Sequence, residues 1–310
     1  MPELPDLEAY RAALGARVVG ERLEAIRVFS PFVLRSVTPP LAEAHGRAVR
    51  GVERLGKRIV LALEGDRFLV VHLMVAGRFQ WRGPRAKPPG RIGLAAFDFE
   101  RGTLLLTEAS KRRRAWLRLV AGRAALAALD PGGVEPLAAT DAELRAALAS
   151  ENRTLKRALT DPRLVAGIGN AYSDEILWSA RLSPFARTAT LDEAAWRALL
   201  DAVRASLVEW SERLVAEARE RFPDKVTAFR PEMAVHGRFG QPCPRCGAAV
   251  QRVVYAENEA NYCAVCQTGG RLLADRALSR LLHGDWPKTL DELEERKATA
   301  RAAGAPRGEN

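Results

Sequence analysis

All four cysteines of the chain lie between positions 243 and 266, as Cys243-x2-Cys246 and Cys263-x2-Cys266, with 16 residues between the pairs. Two such pairs each suit a tight knuckle, and together they close a tetrahedron of four sulfurs around one Zn²⁺. Gly247 follows the first pair, where a knuckle turn needs backbone freedom. A four-sulfur site has no open coordination position, so the expected ion is structural and holds a short hairpin that would not fold alone. Arg238, Arg245 and Arg252 decorate this module and suit a nucleic-acid contact.

Two further groups could do chemistry. Met1 precedes Pro2, a small residue, and its removal would expose the secondary amine of Pro2. An α-amino group titrates at about 7.7–8.0, so part of it is unprotonated near neutral pH. Such an amine attacks an aldehyde or glycosidic carbon and forms a Schiff base, and Glu3 beside it could move a proton. An N-terminal proline is also commonly inert, and both readings stand at this point. The second group is Gly167-Ile168-Gly169-Asn170 within DPRLVAGIGNAYSDE, residues 161–175. It reads as a tight turn between helices, with a helix starting near Asn170 whose free N–H groups suit a phosphate. Lys156 and Arg157 lie just upstream and could close on the same phosphate. A plain helical hairpin is the alternative. The dinucleotide-binding reading fails, because the glycines sit between helices and the third glycine is missing.

These groups need elements to hold them. Leu7, Tyr10 and Leu14 recur at helical spacing and predict a helix over 5–14. Short apolar runs at 58–63, 68–73, 94–99 and 103–106, cut by Gly, Pro and charges, predict successive β-strands in a sandwich or barrel. Residues 82–91, RGPRAKPPGR, read as an exposed loop ending in Arg91. Asp130-Pro131-Gly132-Gly133 marks a boundary, and residues 141–220 read as a helical domain. Residues 271–283 read as an amphipathic helix, and those beyond about 296 as frayed.

The 310 residues suit two domains and a small third. With 48 Lys and Arg against 38 Asp and Glu the net charge is +10, which favours polyanionic partners, nucleic acid first and an anionic membrane surface second. Hydrophobic residues at 47% and charged residues at 28% argue against wholesale disorder. No apolar run approaches the roughly 18 residues of a membrane span, and the acidic, Pro-rich start is unlike a signal peptide. The expected place is the cytoplasm, in association with the nucleoid. The histidines His45, His72, His236 and His283 are scattered, and His72 in an apolar strand reads as a satisfied core histidine.

MPELPDLEAY at the start, Leu55-Gly56-Lys57, VAGIGNAYSDEIL and CPRCG…NYCAVCQ occur in this order from Pro2 to about Gln267. Together they resemble the formamidopyrimidine-DNA glycosylase and endonuclease VIII family. The resemblance implies an α+β multidomain protein. It has an N-terminal β-sandwich with a flanking helix (1–125), a helical helix–two-turn–helix domain (136–222), a four-cysteine zinc finger (236–270) and a C-terminal extension (271–310). It implies a monomer with double-stranded DNA, carrying damaged bases or abasic sites, in a basic cleft between lobes. The implied activity is that of a bifunctional glycosylase and abasic-site lyase in base excision repair. Pro2 would be the nucleophile at the sugar C1′ and Glu3 the adjacent acid/base. Lys57 would contact phosphate and assist β-elimination, while Asn170 and Lys156 would serve the phosphate flanking the lesion. The target base must leave the stack to be reached.

The chain departs from the family pattern at several points. Five residues before the third cysteine, where many members carry an arginine that pins a phosphate, stands Asn258, between Glu257 and Glu259. This puts δ-elimination or the usual phosphate geometry in question. Residues 110–117, SKRRRAWL, lack the family's aromatic wedge and offer Lys111, Arg112, Arg113 and Arg114 instead, a basic run suited to phosphates. In HLMVAG, residues 72–77, the family's methionine falls one position later, so either Met74 or Val75 would face the void left by the flipped base. Asp6 stands where glutamate is more usual. The competing readings are a non-catalytic protein on the same fold that binds damaged or branched DNA, and a zinc-ribbon protein that binds RNA.

Overall fold

β-Branched and aromatic residues alternate with short turns through the first third of the chain, and the computed structural model turns them into two antiparallel sheets. It describes residues 1–255, 258–274 and 287–304. By backbone contacts the chain falls into two units: Met1–Leu148 with Leu159–Gly169 and Val203–Ala228, and Ala149–Ala158 with Asn170–Ala202 and Phe229–Asn310.

The first unit opens with helix α1 (Leu4–Val18). Strands β1 (Arg22–Leu23), β2 (Ala25–Val28), β3 (Arg47–Leu55), β4 (Arg58–Leu63), β5 (Arg67–His72), β6 (Gly77–Arg82), β7 (Gly93–Phe99), β8 (Gly102–Glu108) and β9 (Trp116–Ala121) follow. They form a five-stranded sheet, β1-β3-β4-β5-β9, and a four-stranded sheet, β2-β7-β8-β6. Every residue of β7 and β8 is buried, so both faces of those strands are covered. The predicted strands agree with the observed ones to within two residues at each end.

Helix α1 starts and ends further out than the predicted 5–14. Val18 carries the apolar stripe of Leu7, Tyr10 and Leu14 one turn further into the core. The helix lies on β3 and β4. Tyr10, fully buried, packs edge-on against Phe79 and its hydroxyl accepts the Phe79 N–H at 3.2 Å. These contacts fix the amino terminus against the sandwich. Helices α2 (Arg123–Ala127) and α3 (Asp141–Ala149) follow β9.

Helix α4 (Leu155–Thr160) and helix α5 (Asn170–Ser179) flank the glycine turn, and the 28-residue helix α6 (Glu193–Glu220) comes after them. In the second unit α5 packs on strand β11 (Asn258–Tyr262), which pairs antiparallel with β10 (Gln251–Tyr255). Helix α7 (Ala264–Thr268) closes the second cysteine pair. Of the predicted helix at 271–283, residues 271–274 are not helical and the rest lies outside the described residues. The expected fraying after 296 is not seen up to Gly304, and residues 305–310 lie outside the described residues. A helix runs Leu290–Gly304, through an alanine- and charge-rich stretch of high intrinsic helix propensity. No helix among the described residues is long and apolar enough to cross a membrane.

Candidate active site and metal centre

The amino-terminal residues are built into the first unit. Pro2 and Glu3 are both buried, Glu3 with only 2% of its surface exposed. Glu3 is the N-cap of α1, and its N–H donates to Asp6 Oδ2 at 3.0 Å. The shorter carboxylate noted in the sequence therefore has a local task, satisfying a backbone donor at the helix start. The Leu4 N–H donates to the Gly167 carbonyl at 2.9 Å, and the Gly169 N–H donates to Glu3 Oε2 at 2.7 Å. The glycine turn thus grips the first residues of the chain and fixes the Glu3 carboxylate.

Each glycine has its own reason. Gly167 has φ +82°, the left-handed region, and a Cβ there would meet Leu4 Cβ at 2.8 Å. Gly169 is needed for space. A Cβ on it would stand 2.6 Å from Glu3 Oε1 and 2.8 Å from Lys57 Nζ. Carboxylate and ammonium therefore converge on one small volume over the Gly169 backbone. Lys57 reaches it from the turn between β3 and β4, which Gly56 makes at φ +56°. Burial pulls the Lys57 ammonium below the usual lysine range, and the charge of Glu3 partly offsets this.

The terminal amine, here on Met1, is also pulled below its ordinary value of 8.0. Burial is the main cause, and the positive charges of Arg78 and Lys57 add to it, against Glu3 and Asp6. Arg78 is a residue the sequence reading missed. Its guanidinium donates to the carbonyls of Val75, Gly77 and Val226, tying the 73–77 loop and the segment after α6 beside the amine. Only its place on β6, just past Gly77, could have signalled this.

The other predicted contacts distribute as follows. In the 73–77 loop Val75 is 56% exposed, while Met74 is half-buried with φ +52°. His72 accepts the Met74 N–H on Nδ1 at 2.9 Å, so this nitrogen is unprotonated. Burial, with Arg58 and Lys57 nearby, pushes the His72 pKa down to about 4. Arg91, Arg112 and Arg113 are exposed, and the Arg113 guanidinium donates to the Arg91 carbonyl. Asn258 opens β11 opposite Tyr255.

In the second unit Asn170 is the first residue of α5 and half-buried. Lys156 is 2% exposed, and its Nζ donates to Asp174, to Ser173 Oγ at 3.1 Å and to the Asn170 carbonyl at 3.0 Å. The sequence suggested a lysine facing phosphate; the structure has it bracing the first turn of α5. Asp174 also accepts from Asn261 at 3.3 Å and pairs with His236 Nδ1 at 2.8 Å. Glu175 accepts the N–H groups of Ala234, Val235 and His236 at 2.7–2.9 Å. This buried network fastens α5 to the chain entering the cysteine module.

The four cysteine sulfurs lie within 4.8 Å of one another. A tetrahedral Zn–S site with bonds of about 2.3 Å has sulfurs about 3.8 Å apart, so the set fits one ion. The Trp178 indole N–H donates to Cys243 Sγ at 3.3 Å, the outer support a thiolate ligand needs. Arg245 lies over the Trp178 ring, 4.0 Å from its centroid.

A β-sandwich with a buried amino-terminal Pro-Glu pair, a glycine-turned helix pair and a four-cysteine hairpin define a protein of the helix–two-turn–helix, zinc-finger class. Three family profiles match in sequence order. They are the formamidopyrimidine-DNA glycosylase N-terminal domain over residues 1–116, the H2TH domain of the same enzyme over 133–212, and a zinc finger found in FPG and IleRS over 240–269. Formamidopyrimidine-DNA glycosylase of Thermus thermophilus is 36% identical over 276 residues, covering 87% of this chain and all of the relative. That of Heliobacterium modesticaldum is 32% identical over 277 residues, covering 86% and 100%. Among solved structures, a Lactococcus lactis FPG mutant in complex with a Fapy-dG containing DNA superposes with a TM-score of 0.76 at 27% identity, covering 86% of this chain and all of the other. The chain belongs to the formamidopyrimidine-DNA glycosylase family.

Proposed function

We propose that this chain is a bifunctional DNA glycosylase and abasic-site lyase that acts through the amine of Pro2 once Met1 is removed. The observation that carries the reading is the convergence of the carboxylate of Glu3, the neighbour of Pro2 in the chain, the Gly169 amide and Lys57 Nζ on one small volume. Burial and the nearby positive charges lower the pKa of the amine at this end of the chain, which raises its unprotonated, nucleophilic fraction.

The Pro2 nitrogen attacks the deoxyribose C1′ of a flipped nucleotide, and the bond from C1′ to the base breaks with its electron pair leaving on the base. Glu3, held by the Gly169 amide, takes the proton that the Pro2 nitrogen sheds and passes it to the ring oxygen, so the ring opens as the C1′=N⁺ iminium forms, and the departed base is protonated by water. Loss of a C2′ proton then expels the 3′ phosphate by β-elimination, and water releases the enzyme from the sugar. Lys57, adjacent and cationic, stabilises the departing phosphate. Cys243, Cys246, Cys263 and Cys266 would hold one zinc ion, whose contribution is to fix the β10–β11 hairpin. The basic excess and the exposed Arg91, Arg112 and Arg113 support binding to double-stranded DNA as the substrate.

Borohydride trapping on abasic duplex DNA tests the chemistry. A covalent adduct is expected with the mature protein and is lost in Pro2→Gly or when Met1 is retained, as intact mass reports. No adduct at neutral pH rejects the catalytic reading. The alternative is a binding protein for damaged or branched DNA on the same fold, which Asn258 at the arginine position and the lack of an aromatic wedge in residues 110–117 favour. It would show tight, salt-sensitive binding without an adduct. Chelation should unfold the 238–267 module and abolish DNA binding.

A further inference from the structure

The five-stranded sheet carries a charged row that no step above uses. Arg58 on β4 pairs with His72 on β5, which pairs with Trp116 on β9, so the three side chains share one face. In the next row Val60, Val70 and Arg118 share the same face. Further along it turns apolar, and Leu126 of α2 covers Val60, Ala62, Phe68 and Val70. Trp116 packs against the edge of this cluster, and Arg58, Trp116 and Arg118 are all half-buried.

Both arginines lie over the Trp116 ring, with guanidinium carbons 5.7 Å (Arg58) and 5.5 Å (Arg118) from its centroid. Among the described residues neither guanidinium has a hydrogen bond or an ion pair, and the Nε of each is buried without a partner. Arg118 lowers the Arg58 pKa, burial being the larger cause. The acid that counters them, Asp130, acts only at a distance and accepts the Gly132 N–H instead. Two like charges on one aromatic ring, part desolvated and unneutralised, are unfavourable unless an anion joins them. Their terminal nitrogens remain open, and flat guanidinium forks backed by an indole suit a tetrahedral oxyanion.

We propose that Arg58 and Arg118, stacked on Trp116, form an oxyanion site on this sheet face that takes a backbone phosphate of a nucleic-acid strand. The strand assignment rests on the proposed DNA substrate; the anion site itself does not. An open sheet face with two cations favours a phosphate carried on a polymer over a small enclosed ligand.

Two arms test it on the zinc-loaded full chain. The first compares wild type with Arg58→Met/Arg118→Met for binding to a long undamaged duplex over a range of salt. The slope of log affinity against log salt should fall by about one, the value for one lost phosphate contact, with borohydride trapping on abasic DNA retained. The second follows the His72 imidazole by NMR during titration with inorganic phosphate. A saturable upward shift of its pKa is expected in wild type and not in the double variant. An unchanged slope with a saturable His72 response overturns the strand and leaves a free-phosphate site. A slope and an imidazole that both stay unchanged overturn the site. Loss of duplex binding by wild type itself overturns the strand assignment together with the proposed function, while the phosphate arm still decides the site. Should the double variant fail to fold, Arg118→Met alone is read the same way.

Discussion

Lys57 and Lys156 are two lysines out of bulk water, one in each unit, and their surroundings are opposite. Lys156 donates to a carboxylate, a hydroxyl and a carbonyl, and is closed off from solvent. Lys57 has no hydrogen bond or ion pair among the described residues. It faces Glu3 across the Gly169 backbone, and burial depresses its ammonium. A fully satisfied buried charge contributes rigidity and is silent chemically. A desolvated, unsatisfied one costs stability and is kept for what it can do to a substrate. The first unit leaves Lys57 without such partners where the chemistry is proposed, and the second uses Lys156 for architecture.

The sharpest way to break this contrast is Lys156→Met. It leaves Asp174 buried beside His236 without its ammonium, and removal of one partner of a buried pair costs about 3–5 kcal/mol. Denaturant unfolding should show a loss of this size, and a loss below about 1 kcal/mol would put Lys156 in the same class as Lys57. Next comes Gly169→Ala. The new methyl group would stand 2.6 Å from the Glu3 carboxyl and 2.8 Å from Lys57 Nζ, the ends of two side chains, so both functional groups must move. Borohydride trapping should slow by about 10²-fold, as for a displacement near 1 Å, with little change in Tm. Unchanged trapping would detach the proposed chemistry from this volume.

A smaller effect involves pH. The His72 pKa lies at about 4 in the fold, below its ordinary 6.5, so the unfolded chain binds more protons between these values. The contribution is complete above about pH 6.5 and is lost as pH falls toward 4. Wild type should lose about 2 kcal/mol more than His72→Gln between pH 7 and 4.5, read from urea unfolding at each pH. Equal losses would mean that the ring titrates freely. The smallest shift is expected for Lys57→Met, which removes an unpaired cation. Stability should stay within about 1 kcal/mol or rise, while trapping and strand cleavage fall. A clear destabilisation would reveal a partner like that of Lys156.

The sequence carried these two regions unequally. The cysteine pairs were legible because metal geometry constrains their spacing locally, and the strands because period and punctuation are local too. Pro2 and Glu3 were legible as types, but the hold of Gly169 on Glu3 joins positions 166 residues apart in the chain. No periodicity encodes such a contact. The bracing contacts of Lys156 were not legible for the same reason, since Asn170 and Asp174 lie 14 and 18 residues downstream, beyond the glycine turn. Arg78 had no signal beyond an alternating strand. The helix at Leu290–Gly304 was missed because small and charged residues were read as disorder, although alanine favours helix.

Glu175 gathers three successive backbone amides of 234–236, while Trp178, one turn further along α5, donates to Cys243. The metal-binding segment therefore borrows part of its scaffold from a helix about 70 residues earlier in the chain. Anyone transplanting that segment into another scaffold, or swapping in a sibling's, would have to carry this stretch of α5 along. Excised by itself, it would arrive with three amides and one sulfur stripped of their counterparts.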